Sequence, residues 1–453
     1  MNIIVVGIGK VGYTVAEQLS AEMHDVTVID TNENVLSDTI EELDVRGVHG
    51  NGASRKVLIE AGISECDLLI ALTGGDETNL LCCLLANKLG ANGTIARVRN
   101  PEYNEDIRLI KDSLGLTMAV NPEKEAAEEI FRILRFPSAK NVDIFAKGKV
   151  DLVSFVANSK CNLCGNAIKD IFGKVRAKAL ICAIERGNEI IIPNGDTVVQ
   201  ENDTIALLAE PREISPFFKE VGIPVTGVKD VMLIGGGKLA HYLAVELIRH
   251  NINTTIIEKN QQTAENLSFM LPDANVICGD GTNRSLLIEE GLLDVDAVCC
   301  LTGIDEENIL LSLYAKSVTP ETKTITKVNK ISFQEVIRSL DLGSVIYPKY
   351  ITANLILQHV RARKNNIGNN IETLYKIIDN KVEALEFHVS EDSLLLGKTL
   401  EELTFKNNVI VGCITRKGNV FIPHGKDTFK VGDSVIIVTT ISGLSDLDDI
   451  IKE

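Results

Sequence analysis

The sequence predicts an α/β protein in which a doubly wound parallel-sheet domain and a small α+β domain occur as a pair, twice over. Three observations carry this. Over residues 1–136, runs that are apolar on both faces alternate with helical patterns, as a parallel sheet covered on both sides requires. A glycine-rich turn, GIGKVG over Gly7–Gly12, joins the first run to the first helix. Four blocks of the amino-terminal half return in order in the carboxy-terminal half.

The first strand, Ile3–Val6, feeds that turn. Gly7 permits the tight reversal, Gly9 lets a backbone approach a pyrophosphate, and Gly12 lets the helix lie close to its strand. The helix then opens with free N–H groups and the positive end of its dipole facing the phosphates. The second strand, DVTVI, ends in Asp30. A carboxylate there accepts both hydroxyls of an adenosine ribose and repels a 2′-phosphate, so NAD(H) is favoured over NADP(H). DVRGVH, DLLIAL, TIARV and LTMAV supply the remaining strands, with helices over Ser54–Ala61 and Glu77–Leu89 among the connections. This is the reading of a Rossmann-type domain. A turn that merely needs glycine would also explain GIGKVG by itself; the strand before it, the helix behind it and the acid after the second strand point to a nucleotide.

Residues 141–222 lack such a loop. VDLVSFVA, AKALICAIER, NEIIIPNG and DTIALLA read as short strands around one helical piece, a small α+β domain. The chain then begins again. Asp230–Glu258 repeats the opening stretch: Gly235, Gly237 and Ala240 match the three glycines, Lys238 matches Lys10, and Glu258 matches Asp30. His49–Ile63 returns as Cys278–Leu292, Ala71–Asn79 as Cys300–Asn308, and Ile190–Ile205 as Val420–Val435. The plan is therefore N–C–N–C, with Rossmann-type domains at 1–136 and 228–364 and small domains at 141–222 and 370–453. A period this long is not that of a solenoid.

The candidate binding residues follow from this plan. Gly7, Ile8, Gly9, Lys10 and Val11 would wrap a pyrophosphate with backbone N–H groups, and Lys10 either adds a charge or is a solvated side chain on the first helical turn. Lys238 at the same place favours the phosphate role, because a cation at a helix N-terminus otherwise opposes the dipole. Thr73 and Gly74 leave the fourth strand where the strand order reverses, the usual ligand crevice. Asp76 reads first as an N-cap. Arg97, flanked by Ala96 and Val98, needs a partner, for which a salt bridge to a neighbour is the plain alternative, and Asn51 sits in a GNG turn that its glycines alone would explain. In the second copy the corresponding residues are Gly235, Gly236, Gly237, Lys238, Leu239, Glu258, Thr302, Gly303 and Lys327. There Ile304 stands for Gly75, Lys327 for Arg97 and Asn329 for Arg99, so the basic clamp is reduced and weaker binding is expected.

GIGKVG, the GNGAS and LTGGDETN blocks and the N–C–N–C plan together resemble the TrkA family, peripheral subunits of the bacterial and archaeal Trk potassium-uptake system built from RCK domains. The resemblance covers nearly the whole chain and is looser for the two C domains. It implies a regulatory subunit without enzymatic activity that binds NAD(H), with ATP or ADP at the same sites. It implies that Arg97 faces the nucleotide, that the partner is a TrkH- or TrkG-like membrane protein, and that several chains, four in the family pattern, form a ring. The stretches Asn121–Arg135 and Tyr347–Lys364 hold matching positions and suit assembly helices, with burial on their own domain as the simpler alternative.

The totals agree with that class. A chain of 453 residues exceeds one core. A net charge of −17 argues against a polyanionic partner, nucleic acid included, and is otherwise what solubility requires. No apolar run of about 18 residues or more is present to span a bilayer. With Asn2 opening the first strand, no signal peptide is expected. The expected place is the cytoplasm, at the inner face of the cell membrane through the partner. Most of the ten cysteines lie in apolar runs and read as reduced core thiols. Cys161–Cys164 is a CxxC without a second pair at zinc spacing or a thioredoxin-like context, so no metal is expected. An NAD-dependent dehydrogenase is the competing class, but no histidine–acid pair is recognisable for hydride chemistry. A sensor whose main ligand, such as a cyclic dinucleotide, binds the C domains at the PNG and PHG turns is a third.

Overall fold

The computed structural model describes residues 1–452 except 137–138, 146–148, 160, 188, 226, 330–336, 338–339, 366–370, 378–381, 442–443 and 445. The chain forms two compact units, 1–131 with 229–357 and 132–228 with 358–453.

In the first unit, β1 (Asn2–Val6), α1 (Lys10–Ala21), β2 (Asp25–Asp30), α2 (Glu33–Glu42), β3 (Arg46–His49), α3 (Arg55–Glu60), β4 (Leu68–Ala71), α4 (Asp76–Lys88), β5 (Thr94–Arg97), α5 (Pro101–Glu105), α6 (Ile107–Leu114) and β6 (Met118–Val120) precede the long helix α7 (Pro122–Arg135). The strands are parallel in the order β3-β2-β1-β4-β5-β6, with the reversal between β1 and β4. Every residue of Ile3–Val6 and Leu68–Ala71 is at most 2% exposed, which is why these central strands read as unbroken apolar runs. The second copy repeats the order with β12 (Asp230–Ile234), α10 (Lys238–Arg249), β13 (Asn253–Glu258), α11 (Gln261–Met270), β14 (Asn275–Cys278), α12 (Arg284–Glu289), β15 (Ala297–Cys300), α13 (Asp305–Val318), β16 (Lys323–Lys327) and β17 (Ser344–Ile346). It closes on α14 (Pro348–Asn365), the counterpart of α7. The two N domains pair. Asn121 Nδ2, just before α7, donates to Tyr242 Oη on α10 at 2.9 Å, and that hydroxyl donates to the Arg99 carbonyl at 3.2 Å. The Phe131 and His250 rings lie 4.4 Å apart. Around these contacts Ala126, Ala127 and Ile130 of α7 are fully buried, as are Ala353 and Ile356 of α14.

The second unit holds two antiparallel sheets of matching order, β10-β9-β11-β8-β7 and β21-β20-β22-β19-β18. The first comprises β7 (Ala139–Phe145), β8 (Val150–Val156), β9 (Ala179–Arg186), β10 (Glu189–Ile191) and β11 (Thr204–Ala209); the second comprises β18 (Ile371–Ile377), β19 (Val382–His388), β20 (Val409–Arg416), β21 (Asn419–Phe421) and β22 (Ser434–Thr439). One face of each builds a shared core in which Leu152, Cys182, Ala206 and Leu208 meet Val382, Ala384, Cys413 and Val438. The sequence reading of one helical piece in the first small domain is corrected: α8 (Ile168–Phe172) is joined by α9 (Pro211–Glu220). Pro211 at the first helical turn starts α9 without loss, while Pro216 inside it masks the helical pattern. Ile214, Phe217 and Phe218 bury its inner face. The twin ion pairs Arg186–Asp203 and Arg416–Asp433, each with the aspartate 1% exposed, tie β9 and β20 to the loops before β11 and β22. Among the described residues no helix is long and apolar enough to cross a membrane.

Candidate functional site

The first crevice lies at the carboxyl ends of β1 and β4. Gly7 has φ +89°, and a Cβ on it would stand 2.8 Å from the Thr73 backbone, so the turn is pressed against the exit of β4. A Cβ on Gly12 would meet the Gly7 carbonyl at 1.9 Å, whereas one on Gly9 would meet nothing. The three glycines thus differ in geometry: a left-handed turn at Gly7, open space at Gly9, and a close helix seat at Gly12. Helix α1 starts at Lys10 with no side chain capping it, leaving its first N–H groups directed at the crevice.

Asp30 closes the loop. Its carboxylate accepts from the Ile8 N–H at 2.7 Å and the Asn32 N–H at 2.8 Å, and each oxygen keeps a further lone pair. Gly50 N–H donates to the Asp30 carbonyl at 2.9 Å, which places the GNG turn beside the acid. Asn51 in that turn uses its own Oδ1 to accept from Ala53 N–H at 2.9 Å.

At the β4 exit the structure shows a residue that the sequence reading overlooked. Asn79, fully buried on α4, accepts from the Thr73 N–H at 2.8 Å and from Thr73 Oγ1 at 2.7 Å, and donates to the Arg97 carbonyl at 2.9 Å. It fastens the ends of β4 and β5 to each other. The signal was present: Asn79 is the last residue of the repeated LTGGDETN block, and Asn308 makes the same bonds to Thr302 N–H (2.8 Å) and the Lys327 carbonyl (3.0 Å). The N-cap reading of Asp76 is corrected. Gly75 is the cap; Asp76 is the first helical residue, and its carboxylate accepts from the Arg99 and Asn100 N–H groups at 2.9 and 2.8 Å.

Arg97 donates from Nη2 to the Thr73 carbonyl, while its Nε is buried without a partner. Burial, then the charge of Arg99, pull the guanidinium below its ordinary range, with Glu123 and Asp76 opposing. An orphaned cationic donor at the end of β5, beside an open glycine turn and unspent helix N–H groups, is the donor set that a pyrophosphate fits.

The second crevice repeats the frame. Glu258 accepts from the Gly236 N–H at 2.6 Å and the Asn260 N–H at 2.7 Å; Asp305 accepts from the Asn329 N–H at 2.9 Å. Gly235 has φ +103°, and Gly237 faces open space. Lys327 Nζ donates to the Leu301 carbonyl at 2.9 Å. Burial holds the Lys327 ammonium below the lysine range; Asp305 and Glu123 act against this and Lys10 with it. Lys238 likewise helps lower the Glu77 carboxyl, after the Glu77 backbone and Tyr103 hydrogen bonds. Each crevice therefore feels charges from the other N domain.

Of the predicted residues, Gly7–Gly12, Asp30, Asn51, Thr73, Gly74 and Arg97 gather at the first sheet edge, and Gly235–Leu239, Glu258, Thr302, Gly303 and Lys327 at the second. Cys161 and Cys164 lie elsewhere, in the second unit, and among the described residues no group of His, Cys, Asp and Glu is placed to hold a metal.

Comparison with known proteins matches this arrangement. The TrkA-N domain family matches residues 3–122 and 231–348, and the TrkA-C domain family matches 152–222 and 384–452. The chain belongs to the TrkA family. A TrkA homologue of the Trk potassium-uptake system of Methanosarcina mazei is 32% identical over 460 residues, covering 100% of both chains. The TrkA of Halomonas elongata is 31% identical over 440 residues, 96% of this chain and 95% of its own. Among solved structures the GsuK RCK domain has the same fold, with a TM-score of 0.63 at 17% identity over 96% of this chain and 92% of that one. A GsuK channel structure has NAD bound (TM-score 0.63, 17% identity, 97% of this chain and 76% of that one). TrkA-family N domains thus occupy both places where the glycine loops stand.

Proposed function

We propose that this protein is the regulatory, non-enzymatic subunit of a potassium-uptake system, binding NAD(H), and ATP or ADP at the same sites, in its two N-domain crevices. The observation that carries the reading is the doubled cradle: an open glycine loop under an uncapped helix, closed by an acid whose oxygens already orient the loop. In the first crevice Gly7–Val11 and Lys10 would hold the pyrophosphate, Asp30 the ribose and Arg97 the phosphates, with Thr73, Gly74 and Asn51 at the rim. In the second, Gly235–Leu239, Glu258, Thr302, Gly303 and Lys327 take those roles, with lower affinity. When bound, the nucleotide supplies negative charge between the paired N domains. Charges reaching from one crevice to the other domain let occupancy favour one packing of the pair. Such a shift needs different nucleotide affinities in the two packings, since tight binding alone moves nothing.

The membrane partner is a TrkH- or TrkG-like potassium transporter, which this chain would meet at the inner membrane face as a tetrameric ring. Assembly is supported by Leu81 on α4 and Leu310 on α13, matching positions that are 46% and 66% exposed. Calorimetric titration of the full chain with NADH, NAD⁺, ATP and ADP tests the site. The expected result is two binding steps of unequal affinity; no heat with any of the four ligands from the folded chain would overturn the reading. Loss of potassium uptake on deleting the gene, with rescue by the intact gene but not one carrying a disrupted Gly7–Gly12 loop, tests the physiological half.

A further inference from the structure

The cysteines of the CxxC turn are unexplained by nucleotide binding. The turn follows β8, in the first small domain. Cys161 Sγ and Cys164 Sγ lie 3.9 Å apart, and both thiols donate to one acceptor, the Asn158 carbonyl, at 3.0 and 3.3 Å. Cys161 is buried and Cys164 is partly exposed. The duplication supplies an internal control for why they are there. In the second small domain Ser393, Leu394, Leu395 and Leu396 occupy the equivalent turn. Leu163 and Leu395 are both fully buried, and Gly165 and Gly397 close the two turns at φ +79° and +80°. The same turn is therefore built without cysteines, so the thiols are not needed for its packing or its backbone.

We infer that Cys161 and Cys164 form a reversible dithiol–disulfide couple that exchanges with small-molecule disulfides. Cys164, the reachable thiol, attacks the external disulfide as its thiolate, forms a mixed disulfide and releases one thiol. Cys161 then loses its proton and attacks Cys164 Sγ, closing the internal bond and releasing the second thiol. Two protein thiols are oxidised and one external disulfide is reduced to two thiols. Closure needs the sulfurs to approach to about 2.05 Å, within reach of side-chain rotation in a CxxC turn. Burial, and then the neighbouring Cys161, push the Cys164 thiol up to about 11, so exchange is slow near neutrality and speeds up as pH rises. The couple acts on a turn whose Asn162 N–H donates to the Val221 carbonyl at 2.8 Å, just past α9 and close in sequence to the segment leading into the second N domain.

The test incubates the full chain with excess oxidised glutathione at alkaline pH, followed by alkylation and mass analysis of the peptide CNLCGNAIK. The expected product is that peptide unalkylated and two hydrogens lighter, restored to the dialkylated form by reduced glutathione. Cys161→Ser should hold glutathione on Cys164 as a lasting mixed disulfide, and Cys164→Ser should show none in this peptide. Ser393 at the position equivalent to Cys161 indicates that serine is accepted there. The exposed Cys278 is the internal positive control. A peptide that stays dialkylated while Cys278 acquires glutathione would overturn the couple, as would persistent mixed disulfide on Cys164 in the unaltered chain.

Discussion

The two crevices of the first unit share a frame and differ in their cations. Asp30 and Glu258 each orient a glycine loop through one of its N–H groups, and Asp76 and Asp305 each hold the chain leaving the fifth strand. Asn79 and Asn308 each lock the exit of the fourth strand to the end of the fifth. By contrast Arg97 has become Lys327, and Arg99, whose Nε pairs with Glu123 at 2.8 Å, has become Asn329. What satisfies the protein's own amides has been kept, because losing it leaves buried polar groups unpaired. The basic side chains at the ends of the fifth strands have varied. The acids show the same logic at finer scale. A Cβ on Gly236 would stand 2.9 Å from Glu258 Oε2 and 2.6 Å from Leu267 Cδ1, so the longer acid occupies room that its loop leaves empty. In the first crevice the shorter Asp30 goes with the buried Ile8.

The largest effect that would test this comparison comes from the acids. Asp30→Ala removes the charge-assisted bonds to the Ile8 N–H of the loop and the Asn32 N–H of the following turn, together with those proposed to the ribose, and NADH affinity at the first site should fall about 100-fold or more. Glu258→Ala should do the same to the second site only. Calorimetry on the two variants should therefore remove one binding step each; loss of both steps from one substitution would show that the crevices are not separate sites.

The helix seats come next. Gly12→Ala places a methyl 1.9 Å from the Gly7 carbonyl, so α1 must shift, at a cost of about 1–3 kcal/mol in urea unfolding. The second copy already carries Ala240, fully buried, and Ala240→Gly should cost about 1 kcal/mol through helix propensity alone. Stabilisation by Gly12→Ala would mean that α1 and α10 are seated alike.

The legible part of this molecule is what forces a residue type. Gly7 and Gly235 need left-handed backbone, Gly12 needs the missing Cβ, and the acids close a strand beside the loop; the sequence carries each of these as a letter in a fixed place. The central strands were equally plain because burial on both faces leaves only apolar letters. The roles of Asp76 and Asn79 were hidden for a different reason. Their partners, the amides and carbonyls at the end of β5, are about 20 residues away and have no side-chain signature. An aspartate at the start of a helix looks like a cap whether it binds its own helix or another loop. Helix α9 was missed because Pro216, inside the helix, interrupts the pattern.

A smaller effect sharpens the link between acid length and loop size. Gly236→Ala should press on Glu258 and Leu267, both able to move, and lower second-site affinity about tenfold, a shift near 1.4 kcal/mol. Adding Glu258→Asp, which recreates the shorter acid of the first crevice, should restore most of it. Failure of the rescue, with the fold intact by circular dichroism, would separate the two features.

The smallest expected effect concerns the cations themselves. Arg97 presents a planar fork with one nitrogen left unpartnered, whereas Lys327 offers a single ammonium already turned to the Leu301 carbonyl. Arg97→Lys should bring the first site toward the affinity of the second, a loss of about threefold to tenfold, because a point charge replaces a possible two-pronged contact with phosphate oxygens. Lys327→Arg should move the second site the other way, by less, since Asn329 still lacks the charge that Arg99 supplies beside the first. Each is best read in a chain whose other site is silenced, Glu258→Ala for the first and Asp30→Ala for the second. If exchanging the cations leaves both affinities in place, the inequality of the crevices resides in the loops and acids, and the variation at the fifth strand is neutral to binding.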